Sequence, residues 1–327
     1  TLEAITYYAK AADISYDHQL TLMSQVSLGW SYLKLGKHAL ARQYFDEAQK
    51  LAEEKGISSD DVYLGQANLY SETEEYQKAL EAYTHLIENF PNSHRLADAY
   101  LGRANIYYQL KNYTHAVRDY RVVIDKYSGD SAKQDIVEKS YFGLAWTYLK
   151  AGQPDLSIEM FKTIKDKAGS QTVKVSALTQ IGDAYQDLGQ FEKALEVYDQ
   201  IMTDYPESPY IDYVQYRQGI TLLKMNKIDA ATLSFQTLQT NFPQSKYLNE
   251  VQYYLAVAYF NKEAWREAKE KILEFIKNVQ PPNELLAEAN YILGLSLYNL
   301  KDYTYAVETF QKIMKNFPDE TAVVKNS

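Results

Sequence analysis

A small residue that returns at a nearly fixed interval, each time with the same two companions, constrains this chain more than any other feature. Glycine or alanine stands at Gly29, Ala67, Ala104, Ala145, Gly182, Gly219, Ala256 and Gly294, and successive positions differ by 37 to 41 residues. Twelve residues after each lies a second small residue: Ala41, Ala79, Ala116, Ser157, Ala194, Ala231, Ala268 and Ala306. Four further on comes a large apolar one: Phe45, Tyr83, Tyr120, Phe161, Tyr198, Phe235, Ile272 and Phe310. Self-similarity at such a period marks a repeat architecture, in which each supersecondary element buries its apolar face only by stacking on its neighbours. The repeat therefore overrides the prior of about two domains that 327 residues would carry.

One repeat, residues 178–208, reads as two amphipathic helices joined by a turn. The two small residues let those helices cross closely, and the large residue one turn beyond fills the space beside the crossing. Three residues after the first small position stand Tyr32, Tyr70, Tyr107, Tyr148, Tyr185 and Tyr259, with Leu222 and Leu297 in the other two repeats. These are expected to face the neighbouring repeat. Gly36, Gly152 and Gly189, with Asn112 and Asn226, mark the turns inside the repeats. Phe90-Pro91, Tyr205-Pro206, Phe242-Pro243 and Phe317-Pro318 end second helices, and Ser93, Ser208 and Ser245 can cap the next. Trp265 falls in a turn position held elsewhere by Tyr76, Tyr113 and Tyr303, and it reads as buried and structural.

Gln25, Leu28, Gly29 and Tyr32, and again Leu178, Ile181, Gly182 and Tyr185, follow the first-helix pattern of the tetratricopeptide repeat (TPR) with its tryptophan replaced. The chain resembles a TPR protein over essentially its whole length. That resemblance implies an all-α fold, a TPR α-solenoid whose antiparallel helix pairs stack into a right-handed superhelix with a concave groove. The expected organisation is a single solenoid over 1–327: a half repeat at 1–17, then repeats near 22–57, 60–93, 97–131, 138–170, 175–208, 212–245, 249–283 and 287–320. The spacing exceeds the usual value of about 34 residues, so the first helix or the connection between repeats is expected to be longer. With FPNS, YPES and FPQS at repeat ends, the chain is similar to bacterial envelope TPR proteins of the BamD and CpoB kind. A periplasmic or envelope-associated setting is implied, with a cytoplasmic one as the alternative.

The ends raise a separate expectation. Ala4, Tyr8 and Ala11 fit a second helix that lacks its first, and only DETAVVKNS follows Pro318. A solenoid needs terminal repeats with a polar outer face. The chain is therefore expected to be a piece of a longer array, the alternative being a complete chain whose ends are covered by self-association.

Composition narrows the chemistry. Formal net charge is −9 and no basic stripe is visible, so nucleic acid is not an expected partner. The absence of cysteine removes disulfides, thiolate metal sites and a cysteine nucleophile. No window approaches the apolar run a membrane helix needs, and TLEAITYYAK lacks the features of a signal peptide. Among His18, His38, His85, His94 and His115, the pairs His94 with Asp98 and His115 with Asp119 have the one-turn spacing of metal ligands. One pair supplies too few ligands, so no metal is expected. Asp60–Asp61 and Glu74–Glu75 read as charge favourable to helix N-termini. No phosphate-cradling glycine loop and no GxSxG elbow occurs, so neither an enzyme nor a cofactor is expected.

The resemblance implies that inner residues of the first helices line the groove. In this register they are Val26 and Trp30; Leu64 and Asn68; Leu101, Asn105 and Tyr108; and Phe142 and Trp146. Thr179 and Asp183, Tyr213 and Tyr216, Tyr253 and Phe260, and Tyr291 and Tyr298 follow. Aromatic residues at helical spacing usually pack inside, and that is the competing role. The partner-binding candidates are Trp30, Asn68, Asn105, Tyr108, Phe142, Trp146, Tyr213, Tyr216, Tyr253, Phe260, Tyr291 and Tyr298. Tyrosine, of which there are 31, offers large area at low entropy cost and a polar tip. The chaperone-type carboxylate clamp does not carry over, because Leu64 and Leu101 stand where a lysine should precede Asn68 and Asn105. Asp183, Gln186 and Asp187 would make the groove acidic near its middle, before aromatic residues take over towards the C-terminus. An amphipathic helix or extended apolar peptide with a basic end would fit that gradient. The expected function is a non-catalytic scaffold for a protein or peptide ligand. A cytoplasmic assembly scaffold, or the targeting module of a larger enzyme, are the alternatives.

Overall fold

The structure, a computed structural model, describes residues 2–14 and 17–317. These form seventeen α-helices and one short 3-10 turn, with no strand among the described residues. The chain divides into two compact units, residues 1–164 and 165–327. The first holds α1 (Leu2–Ile14) and the hairpins α2 (His18–Lys34) with α3 (His38–Lys55), α4 (Asp60–Glu72) with α5 (Tyr76–Asn89), and α6 (Leu96–Gln109) with α7 (Tyr113–Tyr127). It ends on α8 (Gln134–Lys150) and most of α9 (Pro154–Lys167). The second holds α10 (Gln171–Asp187) with α11 (Phe191–Asp204), α12 (Ile211–Lys224) with α13 (Ile228–Asn241), α14 (Leu248–Asn261) with α15 (Trp265–Asn278), and α16 (Leu286–Asn299) with α17 (Tyr303–Asn316). The helices α2, α8 and α10 each begin four residues before the expected repeat bounds at 22, 138 and 175. Ala4, Tyr8 and Ala11 lie on α1, whereas the segment from Pro318 onward lies outside the described residues.

The long spacing has two sources. In the α12–α13 repeat both helices have 14 residues, the turn between them is 225–227, and the connection to α14 is the six-residue 242–247. That connection carries the extra length. In the α8 repeat the first helix itself grows to 17 residues.

All eight turns inside the repeats are built alike. The chain leaves the first helix through one left-handed residue, and the next N–H returns to a carbonyl five residues back, as Lys37 N–H does to Tyr32 O at 2.9 Å. The acceptors are the carbonyls of Tyr32, Tyr70, Tyr107, Tyr148, Tyr185, Leu222, Tyr259 and Leu297, the positions three after the first small residue. This closes the helix end by the 6→1 bond that satisfies otherwise orphaned carbonyls. Gly36, Gly152 and Gly189 take the left-handed position, where φ is 68°, 73° and 71°. Asn226 does so too, but in the third repeat the left-handed residue is Lys111, not Asn112. Asn112 instead caps α7, its side-chain oxygen accepting from the His115 N–H.

Packing follows from the small positions. Phe45, Tyr83, Tyr120, Phe161, Tyr198, Phe235 and Ile272 are buried against the first helix of their own repeat. A Cβ placed on Gly29 would stand 2.6 Å from the Phe45 ring, so the glycine is a steric requirement there. The next repeat supplies a second wall. Gly65 closes on Phe45, Gly102 on Tyr83 and Gly143 on Tyr120, each so tightly that a Cβ would collide with the ring. One aromatic side chain thus locks a repeat internally and to its successor.

Of the tyrosines three after the first small residue, Tyr70, Tyr148 and Tyr259 reach the preceding repeat, whereas Tyr32 stacks on Tyr44 of its own. The Arg42 guanidinium lies over the Tyr70 ring at 5.2 Å, and Arg121 donates to the Tyr148 hydroxyl at 2.6 Å. Arg42 also pairs with Glu75 at the start of α5, which accepts from Lys78 at 2.6 Å and from Thr73 at 2.9 Å. Hydrogen bonds from Lys78, Arg42 and Thr73 hold the Glu75 carboxyl down from 4.5 to about 2. Its folded pKa is depressed, so its contribution to stability is complete above pH 4.5 and is lost as pH falls towards 2. A Glu75→Gln variant should lose part of the acid-unfolding slope in that window and match the wild type only at the low-pH end, where Glu75 is protonated. Circular dichroism followed through an acid titration reads this directly, and identical slopes would remove Glu75 from the account.

Candidate functional site

Three of the expected groove positions turn out to serve the core. The Tyr83 hydroxyl donates to Asn68 Oδ1, Tyr120 donates to Asn105 Oδ1 at 2.6 Å, and Tyr198 donates to Asp183 Oδ1 at 2.7 Å. Each acceptor directly follows the first small residue of its own repeat. Where the ring is phenylalanine, that position is apolar: Trp30 with Phe45, Trp146 with Phe161, Ile220 with Phe235 and Leu295 with Phe310. The Trp30 and Trp146 rings meet theirs edge-on at 5.7 and 5.8 Å. A buried hydroxyl needs a partner and a phenyl edge does not, so the two positions vary together.

In the first unit, Asn105, Tyr108, Phe142 and Trp146 converge on one cavity of about 880 Å³. α6 presents Asn105 and Tyr108, and α8 presents Phe142 and Trp146, both braced against Phe161 at 6.2 and 5.8 Å. Lys139 and Lys150 stand at the rim, positions to which no sequence feature pointed. Lys139 forms an exposed pair with Asp135 at 2.7 Å, and Lys150 has no ion-pair partner among the described residues. The volume falls within the range typical of ligand sites. Trp30 is half-buried on the hairpin of α2 and α3, away from this group.

In the second unit the aromatic candidates pack mainly on other rings. Tyr216 stacks on Tyr247 at 4.9 Å and meets Tyr254 at 5.8 Å, and Tyr254 stacks on Phe235 at 5.9 Å. Tyr253 is only 3% exposed and packs on Phe275, so it is a core residue with no surface to offer. Phe260 packs edge-on against Trp265 at 5.0 Å, and Tyr291 leans on Phe310 at 6.0 Å. Tyr298 remains exposed, beside Tyr303. Tyr303 itself is 54% exposed, so the turn position it shares with Trp265 is not a buried one. Tyr213 lines a smaller cavity of about 490 Å³ together with Tyr247 and Lys246.

The acidic middle is also internal. Asp183 accepts from Tyr198 and, at 2.7 Å, from Tyr213, and its carboxylate lies 2.8 Å from Arg217. Burial, then the Asp183 charge, pushes the Tyr198 and Tyr213 hydroxyls well above the ordinary tyrosine range. Gln186 is buried and donates to the Thr221 hydroxyl at 2.6 Å. Asp187 alone of the three is exposed.

Neither histidine–aspartate pair forms a unit. Asp98 pairs with Lys133 at 3.2 Å, and Asp119 is fully buried against Arg103. Arg103 reaches it through Nε at 2.6 Å and a second nitrogen at 3.1 Å, and also donates to Thr84 at 3.0 Å. This fork ties α5, α6 and α7 together.

Family models described as tetratricopeptide repeat match residues 24–55, 64–131 and 176–208. A further model, described as outer membrane lipoprotein, matches residues 212–325. No curated protein matches the chain. Among solved structures, the chain is similar to the C-terminal part of a TPR repeat-containing protein from Cytophaga hutchinsonii, with 20% identity over 80% of this chain and 98% of that one, at a TM-score of 0.61. A tetratricopeptide repeat protein from Parabacteroides merdae shares 14% identity over 81% and 97% of the two chains, at 0.58. The apo form of the quorum sensor NprR from B. thuringiensis shares 13% over 96% and 97%, also at 0.58. At these identities the likeness is one of fold.

Proposed function

We propose that this chain, a tetratricopeptide-repeat protein and so a protein-interaction scaffold, is non-catalytic and grips a peptide or protein face within a bacterial envelope complex. The observation that carries the reading is the convergence of Tyr108, Phe142 and Trp146 on one open cavity beside Asn105. Aromatic anchors of this kind concentrate binding energy on a few side chains. The envelope setting is supported by the outer membrane lipoprotein model over residues 212–325 and by the repeat-end sequences. In the second unit, Tyr213 and exposed Tyr298 remain candidates for further contacts, whereas Tyr216 and Tyr291 spend most of their surface on neighbouring rings.

The test is capture by the immobilised chain from a bacterial envelope extract, with Trp146→Ala and Tyr108→Ala compared against wild type. A specific partner should be retained by wild type and lost by at least tenfold in the variants, with helicity unchanged by circular dichroism. Equal capture by all three would move the binding surface elsewhere.

A further inference from the structure

We infer that the cavity between α6 and α8 takes an extended, acidic peptide that seats an apolar side chain between two carboxylates, an inference that rests on the scaffold reading above. The charge pattern singles out the site. Four other cavities among the described residues each have at least one carboxylate in their walls: Asp212, Glu53, Glu274, or Glu81 with Glu88. This one has none, and it has two lysines, in a chain whose net charge is −9. A cationic rim favours an anionic ligand by charge complementarity.

Position sets the ligand's dimensions. Lys139, Phe142, Trp146 and Lys150 fall on one face of α8, being three, seven and eleven residues apart from the first. At a helical rise of about 1.5 Å per residue the two lysines are about 16 Å apart along the axis, with the aromatic rings between them. Extended chain covers that distance in about five residues. Lys139 already has the exposed Asp135, so a ligand carboxylate competes for it, while Lys150 meets its ligand without a rival.

Asn105 decides between an extended peptide and a helix. Its side-chain oxygen is committed to Tyr120, which fixes the amide so that both N–H donors remain for a ligand. Main-chain carbonyls of an extended peptide can accept them. Those of a helix are already bonded within the helix.

The test uses the full chain and a displayed library of random dodecapeptides, followed by anisotropy titration of the selected peptides made synthetically with a fluorescent label. Selected peptides should carry Asp or Glu on both sides of Leu, Phe or Trp. Their Kd should rise at least tenfold for the Lys139→Glu/Lys150→Glu variant, and rise as salt goes from about 0.05 to about 0.3 M. Both lysines are exposed, so this variant should keep its fold. Asn105→Asp keeps an acceptor for Tyr120, as Asp183 does for Tyr198, yet removes the two donors; it should also weaken binding at least tenfold. Neutral or basic flanks, or equal affinity for the charge-reversed variant, would overturn the acidic ligand. If such peptides still lose binding in Trp146→Ala, the scaffold reading stands without it. If no peptide is enriched, or none responds to Trp146→Ala, both fail together.

Discussion

Tyr198→Ala should destabilise the protein by about 3–5 kcal/mol, the cost of removing a large buried aromatic side chain and leaving its cavity. The ring has no exposed surface and presses on Gly182, so the void cannot be filled by a neighbour's Cβ. Tyr198→Phe separates the ring from its hydroxyl. It should cost less, about 1–3 kcal/mol, because it leaves Asp183 one donor short while Tyr213 and Arg217 remain. Changes at exposed Glu192 and Lys193 should stay within about 0.5 kcal/mol. Urea unfolding gives the magnitudes. Hydrogen exchange gives the location, which should centre on α10, α11 and α12, since a repeat array sums local and nearest-neighbour terms. Equal effects at Tyr198 and Lys193 would mean that the repeat register is wrong.

The register was legible in the sequence because one steric demand recurs eight times. Two helices that cross closely need a small residue on each, and a ring beside the crossing needs room, so three positions are fixed together. The second wall of each ring was not visible. It comes from the following repeat, two residues before that repeat's small position, and only Gly65, Gly102 and Gly143 advertise it. In later repeats Arg217, Tyr254 and Ile292 stand there, which no search for small residues would find.

The candidate site was legible only in part, for a related reason. Helical spacing identifies which residues share a face but not how deep each sits, and Tyr253 and Trp146 look alike at that level. Depth is set by the neighbouring repeat. The pairing of Tyr83, Tyr120 and Tyr198 with Asn68, Asn105 and Asp183 was available, since phenylalanine at the same position always goes with an apolar partner. Read as hydroxyl satisfaction, that pattern would have shown that Asn68 and Asp183 serve the core. It would also have shown that the Asn105 oxygen is committed to Tyr120. Lys139 and Lys150 carried no signal, because lysine on a helix is ordinary until a cavity is known to lie between them.

Asp119 was the least legible residue of all, read as one half of a surface pair with His115 when it belongs to Arg103. Asp119→Ala should cost about 3–5 kcal/mol, because it leaves the Arg103 guanidinium buried with Thr84 as its remaining buried partner. The size of that loss is not the worth of the ion pair. Desolvating both charges opposes folding, so an apolar pair of similar volume can be as stable as the original. Arg103→Met with Asp119→Leu should therefore recover most of what Asp119→Ala loses. The single loss should persist in high salt, since the pair lies out of reach of mobile ions. Urea midpoints for wild type, the single and the double variant decide the matter. A single-variant loss below about 1 kcal/mol would mean that solvent reaches the pair. A double variant no better than the single would mean that the fork is needed for its geometry, holding α5, α6 and α7 in register where apolar side chains cannot.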